Sequence, residues 1–408
     1  MERLMKDNAG RSSGHVPTLI ASFLHFDISF ALWVLLGALG AYIAESIGLN
    51  PAQKGLMVAV PILSGAVMRV PLGLLSDRLG GKRVGMAMLA FLFVPLIFGW
   101  LMGGSLSGLL ATGAMLGTAG ASFSVALPLA SRWYPAHRQG LVMGIAAAGN
   151  SGTVIANLAA PRLANLMGWH NVLAVAMIPL ALVLVSFSLM ARDNTDSSIG
   201  KPVSGYLLAL KQPEMWWLCF FYSVTFGGYV GLSSFLPIFF RDQYKVAPPA
   251  AGYITALAAF TGSAVRPLGG YLSDRFGGTR MLTIVLTGIA AAYALGSTLP
   301  DLKLMACIIV VGMAFLGMGN GSVFQLVPLR FPREVGVATG VVGAVGGLGG
   351  FLLPNLLGSA KQLTGSFSAA FVVLASLAVT AVFLLRVVTG SERQPVALAA
   401  SSEASIGD

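Results

Sequence analysis

Apolar stretches long enough to cross a membrane follow one another along almost the whole chain, separated by short polar or glycine-containing segments. A helix of about 20 apolar residues spans the roughly 30 Å hydrocarbon core of a bilayer. The pattern predicts twelve such helices. Nine of them cover about residues 18–44, 52–75, 84–102, 108–133, 144–157, 172–190, 214–240, 281–298 and 367–388. The other three contain residue 266, residues 317–325 and residues 340–351.

The longest polar interruption between these stretches lies near the middle of the chain and predicts a linker. The expected fold is an all-α polytopic membrane protein with two pseudo-symmetric halves of six transmembrane helices each. The predicted parts are an N-terminal tail (1–16), an N-terminal half (17–191), a cytoplasmic linker (192–211), a C-terminal half (212–389) and a C-terminal tail (390–408).

One segment occurs twice. Arg69–Arg83, with Leu-Ser-Asp-Arg at its centre, recurs as Arg266–Arg280, 197 positions later (266 minus 69). An offset near half the chain length indicates two copies of one structural unit, fused head to tail. The repeat therefore supports the division into halves.

Each copy of the repeat begins with an arginine inside an apolar helix. Arg69 precedes the loop residue Asp77 by eight positions, which corresponds to roughly 12 Å along a helix. This depth places Arg69, and Arg266 by the repeat, near the middle of the membrane, where a cation must face a protein interior or a watery cavity. The pair predicts a site for an anion at the junction of the halves, and the alternative is two separate salt bridges to structural carboxylates.

The composition agrees with a membrane protein, since 56% of the residues are hydrophobic and only 10% are charged, against about 25% charged in soluble domains. Of the 25 lysines and arginines, 17 fall in the tails and alternate loops, 6 fall in the intervening loops, and the remaining two are Arg69 and Arg266. The positive-inside rule therefore predicts that both termini are cytoplasmic. The net charge of +10 reflects this topology and predicts no nucleic-acid partner; the partner is the lipid bilayer.

Catalysis is not expected. The chain has four histidines and two cysteines, without metal-ligand spacing or a nucleophile motif. We predict neither a metal nor a cofactor, and we expect a monomer. Two repeats with a central site at their interface are instead typical of alternating-access transporters, and arginine pairs bind small oxyanions in a bidentate manner at any physiological pH.

The loop Gly73–Arg83 resembles the signature loop of the major facilitator superfamily, and Gly270–Arg280 is its second copy. The resemblance implies that four loop residues gate the transporter by pairing with neighbouring helix ends. These are Asp77, Arg78, Asp274 and Arg275.

Two glycine-rich helices narrow the resemblance. Ala148–Gly152 and Gly343–Phe351 resemble the paired nitrate signatures of the nitrate/nitrite porter family, and this similarity covers essentially the whole chain. It implies that nitrate or nitrite lies flat between aromatic rings, bound by two arginines and an asparagine amide. The implied substrate-binding residues are Arg69, Arg266, Asn150, Tyr222, Phe226, Phe123, Gly149 and Gly346. Close helix packing alone would also account for the glycines.

Asp27 bears on the mode of transport, because an ionisable group inside an apolar stretch is a candidate proton carrier. Phe26–Trp33 resembles the proton-coupled nitrate branch of the family, in which protons are a second substrate. The alternatives are a salt bridge to an arginine or a hydrogen bond to a neighbouring helix.

The expected function is therefore proton-coupled nitrate uptake or nitrate/nitrite exchange in the bacterial inner membrane. A carrier of another small anion, such as a monocarboxylate, would also suit an arginine pair. A membrane sensor that borrows the fold is the alternative from a different class, but the chain offers no signalling domain.

Overall fold

A computed structural model of the chain describes residues 14–134, 142–143, 145–194, 210–331 and 335–404, without the side chains of 328, 335–337 and 389–404. All regular secondary structure in these residues is helical. Most of the predicted linker and N-terminal tail lies outside the described residues.

The described residues form twelve helical units, in agreement with the predicted number. In the first half they are α1 (Val16–Trp33, Leu35–Ala38 and Gly40–Ile47), α2 (Pro51–Leu79), α3 (Gly81–Met102), α4 (Leu106–Ser131), α5 (Ala148–Ser151 and Gly152–Met167) and α6 (Trp169–Met190). In the second half they are α7 (Pro213–Tyr244), α8 (Pro248–Ala264 and Arg266–Phe276), α9 (Gly278–Ser297), α10 (Leu302–Arg330), α11 (Val335–Thr364) and α12 (Ser368–Ala404). We call α1–α6 the N-half and α7–α12 the C-half.

Ten of these units contain a helix that is long and apolar enough to cross a membrane by itself. The other two are α5, whose described α-helix has only 16 residues, and α8, which is interrupted at Val265. Pro267 explains the interruption, because proline has no amide hydrogen to donate and its ring clashes with the preceding turn. The break lies directly beside Arg266.

The sequence repeat is also a repeat of helix ends. α2 begins with a capping box in which Asn50 and Gln53 exchange hydrogen bonds of 2.8 and 3.0 Å, and it stops at Gly80. The second copy stops at Gly277. Both glycines have a positive φ, 96° and 89°, a conformation that glycine adopts without steric strain.

α7 is the most buried of the long helices. Its aromatic residues Phe235 and Phe239 are 1% exposed, and the Phe239 ring lies 5.1 Å from Phe367 and 5.5 Å from Phe371. Buried aromatic surface of this kind supplies much of the packing contact in the C-half. α7 also contacts α1 of the N-half, so it lies at the junction of the halves.

The halves meet mainly where α2 packs on α11 and α5 packs on α8. Glycines permit this approach. A Cβ atom on Gly252 would collide with the Asn157 carbonyl oxygen, and one on Gly37 would collide with that of Ser234. Small residues allow the same close backbone contacts between membrane helices in general.

Two ion pairs join the halves beside these contacts. Lys54 Nζ lies 2.7 Å from Asp242 Oδ2, and Arg241 Nη2 lies 2.7 Å from Glu45 Oε1. They connect the end of α1 and the start of α2 with the end of α7. They add charged contacts between the halves to the glycine contacts.

The Lys54–Asp242 pair predicts a charge-swap result. Lys54→Glu or Asp242→Lys alone places like charges together at a cost of about 1 kcal/mol or more. Each variant should lower the apparent Tm of the detergent-purified protein by about 1–2 °C, because the shift per kcal/mol becomes smaller as the chain becomes longer. The Lys54→Glu/Asp242→Lys double variant should regain most of the loss.

Lys303→Glu is the control, because Lys303 is exposed and follows the N-cap residue Asp301. Differential scanning fluorimetry measures the Tm values. If the double variant is as unstable as the sum of the single variants, the pair does not hold the halves together.

Candidate functional site

Arg69 lies in the middle of α2 and is only 4% exposed. Its Nε donates to the Gly120 carbonyl of α4 at 3.1 Å, and its Nη1 donates to the Gly343 carbonyl of α11. Nη2 is buried and has no hydrogen-bond partner in the described part of the chain. Two of its nitrogens thus fix the side chain, and the third is free to donate to a ligand.

Three aromatic rings surround the Arg69 guanidinium. Its Cζ lies 5.1 Å from the ring centre of Phe226, 5.6 Å from that of Trp33 and 5.9 Å from that of Phe123. Aromatic faces attract cations at such distances, and the attraction is stronger where water is excluded. The rings therefore stabilise a buried charge that forms no ion pair with a carboxylate among the described residues.

Arg266 is held more loosely. It begins the second segment of α8, is half-buried, and donates from Nη2 to the Tyr222 hydroxyl at 3.5 Å. Its Cζ lies 5.7 Å from the Phe324 ring. None of the ion pairs between described residues involves Arg69 or Arg266. The alternative of two structural salt bridges therefore has no support in the described part of the chain.

Four aromatic side chains connect the two arginines. Tyr222 and Phe226 stack with ring centres 4.9 Å apart and an angle of 2°, and Phe324 meets Tyr222 edge-on at 4.8 Å. Phe324 also lies 6.1 Å from Phe123. Parallel and perpendicular rings of this kind form flat, rigid walls. We call the arginines and these four rings the arginine–aromatic cluster.

The glycines of α11 bring this helix against the cluster. A Cβ on Gly346 would overlap the Tyr222 ring, and one on Gly347 would lie 3.6 Å from Arg69 Nη1. Gly349 packs on the backbone of Ser223 in the same way. These glycines therefore do permit close helix packing, which was the alternative explanation for them. The packing occurs around the predicted site residues.

α7 departs from regular α-helix at the same level. Residues Ser223–Gly227 form a π-helical turn, and Ser223 Oγ donates to the Val345 carbonyl of α11 at 3.1 Å. Turns of this type are rare and frequently occur at functional sites. This turn follows the predicted ligand Tyr222 and contains the predicted ligand Phe226.

Asn150, Gly149 and Asp27 form a second group, between α1 and α5. Gly149 packs on the α1 backbone at Asp27, and the Asp27 carboxylate accepts a 2.6 Å hydrogen bond from Ser151. Asn150 is 3% exposed and its Oδ1 has no partner. Among the described residues, no hydrogen bond or ring contact joins Asn150 or Asp27 to the arginines.

The two copies of the loop motif differ. Asp77 forms an ion pair with Arg132 at the end of α4, whereas Arg78 is exposed. In the second copy, both Asp274 and Arg275 are exposed. Only the first copy therefore contains, among the described residues, the kind of pairing with a neighbouring helix end that the resemblance implies.

Trp33 and Phe324 are members of the site that the sequence analysis did not assign. A second internal repeat could have indicated Phe324, because Ser122, Pro128 and Leu129 recur 200 positions later as Ser322, Pro328 and Leu329. In this register Phe324 follows the counterpart of Phe123 by one position. No sequence signal distinguishes Trp33 from other apolar residues of α1.

The chemistry available in the cluster is positive charge, hydrogen-bond donors and flat apolar walls. No group of three or more potential metal ligands occurs in the described residues. This arrangement suits a small planar anion, since a guanidinium offers parallel donors to two oxygens and a ring face packs on a planar ligand.

The chain is similar to known membrane transporters over most of its length. Residues 21–354 match the model of the Major Facilitator Superfamily. The chain is 33% identical to a nitrite extrusion protein of Bacillus subtilis, over 87% of this chain and 90% of that protein. It is also 33% identical to a probable nitrate/nitrite antiporter, NarK1, of Thermus thermophilus, over 88% of each chain. A probable nitrate transporter, NarT, of Staphylococcus haemolyticus is 31% identical over 87% of this chain and 92% of its own.

Solved structures show the same fold at lower identity. The nucleoside transporter NupG superposes with a TM-score of 0.72 at 13% identity, covering 91% of this chain and 99% of that one. A bacterial homologue of the lysosomal transporter Spinster superposes with a TM-score of 0.66 at 20% identity, covering 90% and 94%. The chain therefore belongs to the nitrate/nitrite porter family of the major facilitator superfamily.

Proposed function

We propose that this protein carries nitrate and nitrite across the bacterial inner membrane by alternating access, with one anion held between Arg69 and Arg266. The observation that carries the proposal is an arginine from each half, without a paired carboxylate in the described residues, inside one aromatic cluster. The names of the three bacterial relatives support the substrate.

The donors around the cluster suit an oxyanion. Within residues that the structure describes, Arg69 Nη2 has no partner, and Arg266 donates only to the Tyr222 hydroxyl, at 3.5 Å. An anion placed between them receives charge-assisted hydrogen bonds from both halves, and these are stronger than neutral ones. The family resemblance also implies a hydrogen bond from the Asn150 amide. This buried side chain packs between α1 and α5, outside the cluster, so its amide can reach the anion only after the helices move.

The packing of α11 restricts the size of the substrate. Gly346 abuts Tyr222 and Gly347 lies beside Arg69, so the backbone of α11 takes space that a larger ligand would need. Nitrate is a planar ion of four atoms, and the family resemblance implies that it lies flat against aromatic rings such as Tyr222 and Phe226. A monocarboxylate, the alternative substrate, carries an additional organic group that lacks this planarity.

The contacts between the halves suit rocking motion around the site. Arg69 of the N-half donates to Gly343 of the C-half, so this bond has to change when the halves separate at the cluster. A second contact between the halves, the Lys54–Asp242 pair, lies at the N-terminal end of α2, away from the cluster. Repeats that move about a central site are the basis of alternating access in transporters. The distribution of basic residues supports cytoplasmic termini.

Asp27 supports coupling to protons. Its carboxylate accepts from Ser151 of α5, which is the hydrogen bond to a neighbouring helix named above as an alternative. It has no cationic partner among the described residues. Carboxylates without a counter-ion inside a membrane mark proton relays in many pumps and transporters. We therefore favour nitrate–proton symport over nitrate/nitrite exchange.

Lysine substitution tests the arginine pair. Arg69→Lys and Arg266→Lys keep the charge but lose the planar pair of donors. Each should raise the KM for nitrate uptake into proteoliposomes by about 10- to 100-fold, because a hydrogen bond to a charged group contributes roughly 1.5–3 kcal/mol. The exposed Arg280→Lys is the control. Normal uptake by both lysine variants would refute the central site.

Alanine substitution of two glycines that lie one turn apart on α11 gives a test variant and its matched control. Gly346→Ala places a methyl group into the Tyr222 ring, whereas the Cβ of Gly343→Ala would lie 3.8 Å from Phe123 and 3.9 Å from Arg69. Nitrate affinity, measured by calorimetry, should fall about tenfold or more in Gly346→Ala, since overpacking costs about 1–3 kcal/mol. It should stay within about twofold in Gly343→Ala, whose methyl meets only ordinary van der Waals contacts. Equal effects would contradict the assigned geometry.

The coupling mode is tested with vesicles that contain buffer or nitrite, with and without an acidic exterior. We expect the pH gradient to drive nitrate uptake into buffer-filled vesicles. Asp27→Asn should abolish this uptake but retain nitrate counterflow, because counterflow needs no net proton movement. Uptake that requires internal nitrite and ignores the gradient would instead establish exchange and leave Asp27 a structural residue.

A further inference from the structure

We propose that Trp33 is a positioning residue, which fixes the Arg69 guanidinium before an anion arrives so that Nη2 is the end presented to the ligand. This inference rests on the proposed anion site and adds a residue to it. Trp33 lies on α1, and the family resemblance assigns it no contact with substrate.

The Trp33 indole is itself held firmly. It is 2% exposed, and its Nε1 donates to the Pro61 carbonyl of α2 at 2.8 Å. A Cβ on Gly65 would lie only 2.9 Å from Nε1, and one on Gly120 would overlap the six-membered ring. Both glycines therefore bring backbone directly against the indole, which has no room to turn.

Gly120 links the indole to the arginine. Its carbonyl accepts the 3.1 Å hydrogen bond from Arg69 Nε, while its Cα faces the indole. The guanidinium carbon lies 5.6 Å from the centre of the Trp33 ring. The indole, Gly120 and the guanidinium thus form one continuous unit within the N-half. This unit orients the Arg69 side chain together with the hydrogen bond from Nη1 to Gly343 of the C-half.

Arg266 has no equivalent support in the described residues. It is half-buried, its one hydrogen bond is 3.5 Å long, and Phe324 is its one ring contact. The site is therefore asymmetric. Arg69 offers a fixed donor, and Arg266 can adjust to the anion from the other half.

A fixed donor affects affinity more than the rate of the conformational cycle. A pre-oriented guanidinium loses little rotamer freedom when the anion binds, so more of the interaction energy appears as affinity. Loss of the Trp33 ring should therefore raise the Kd and KM for nitrate and leave the maximal rate nearly unchanged. A merely structural role would reduce the amount of folded protein without this split.

The experiment compares Trp33→Leu and Trp33→Phe with Phe187→Leu in the purified full-length protein. Phe187 is a fully buried aromatic residue of the N-half that packs on His25 with ring centres 4.9 Å apart. Calorimetry measures the nitrate Kd, fluorimetry measures the apparent Tm without nitrate, and proteoliposome uptake measures KM and the maximal rate.

From the strength of a buried cation–π contact we expect Trp33→Leu to raise the Kd and KM about tenfold, and Trp33→Phe about threefold. Phe187→Leu should lower the Tm but leave the Kd within about twofold, because Phe187 makes no ring contact with either arginine among the described residues. If Trp33→Leu does not fold, Trp33→Phe gives the same test with a smaller change in volume.

Two results would overturn the role of Trp33 and leave the proposed function intact. One is a wild-type Kd in Trp33→Leu or Trp33→Phe, and the other is a rise of the Kd in Phe187→Leu that equals the rise in the Trp33 variants. Failure of the wild-type protein to bind nitrate is a different outcome. It would refute the proposed function, and the role of Trp33 with it.

Discussion

The structure depends on two arginine side chains that lie within a membrane domain and have no carboxylate counter-ion among the described residues. A cation at this depth is stable only where other groups replace the hydration that it loses. Arg69 obtains two carbonyl oxygens and three aromatic rings, and Arg266 obtains a tyrosine hydroxyl and one ring. None of these partners neutralises the charge, so the cluster retains a net positive charge that favours an anion.

Glycine makes this arrangement possible. α11 can approach Tyr222, Ser223 and Arg69 only because it presents hydrogen atoms where other residues present side chains. The π-helical turn of α7 follows the same surface, with Ser223 bound to the Val345 carbonyl. Since each half supplies one arginine, and α11 of the C-half contacts α2 of the N-half, movement of the halves changes the site directly.

Much of this architecture could be predicted from the sequence, because its main signals are local. The long apolar stretches predicted the helices, and the repeat of Arg69–Arg83 predicted their duplication. The glycines that end the two copies, Gly80 and Gly277, both have a positive φ. Tyr222 and Phe226 lie beside the arginines, and their roles in substrate binding, which the family resemblance implies, stay a prediction. The predicted ligands do not form one group, however, since Asn150 and Gly149 pack against α1. Trp33 could not be predicted, because its role depends on Gly65 and Gly120 from two other helices.

The central claim is that one small anion is shared by two arginines from different halves. Isothermal titration of nitrate into the purified protein tests it through the number of sites and the competition between anions. The account predicts one nitrate per chain, displaced by nitrite and not by lactate. Two nitrates per chain, one for each arginine, or equally strong displacement by lactate would contradict it.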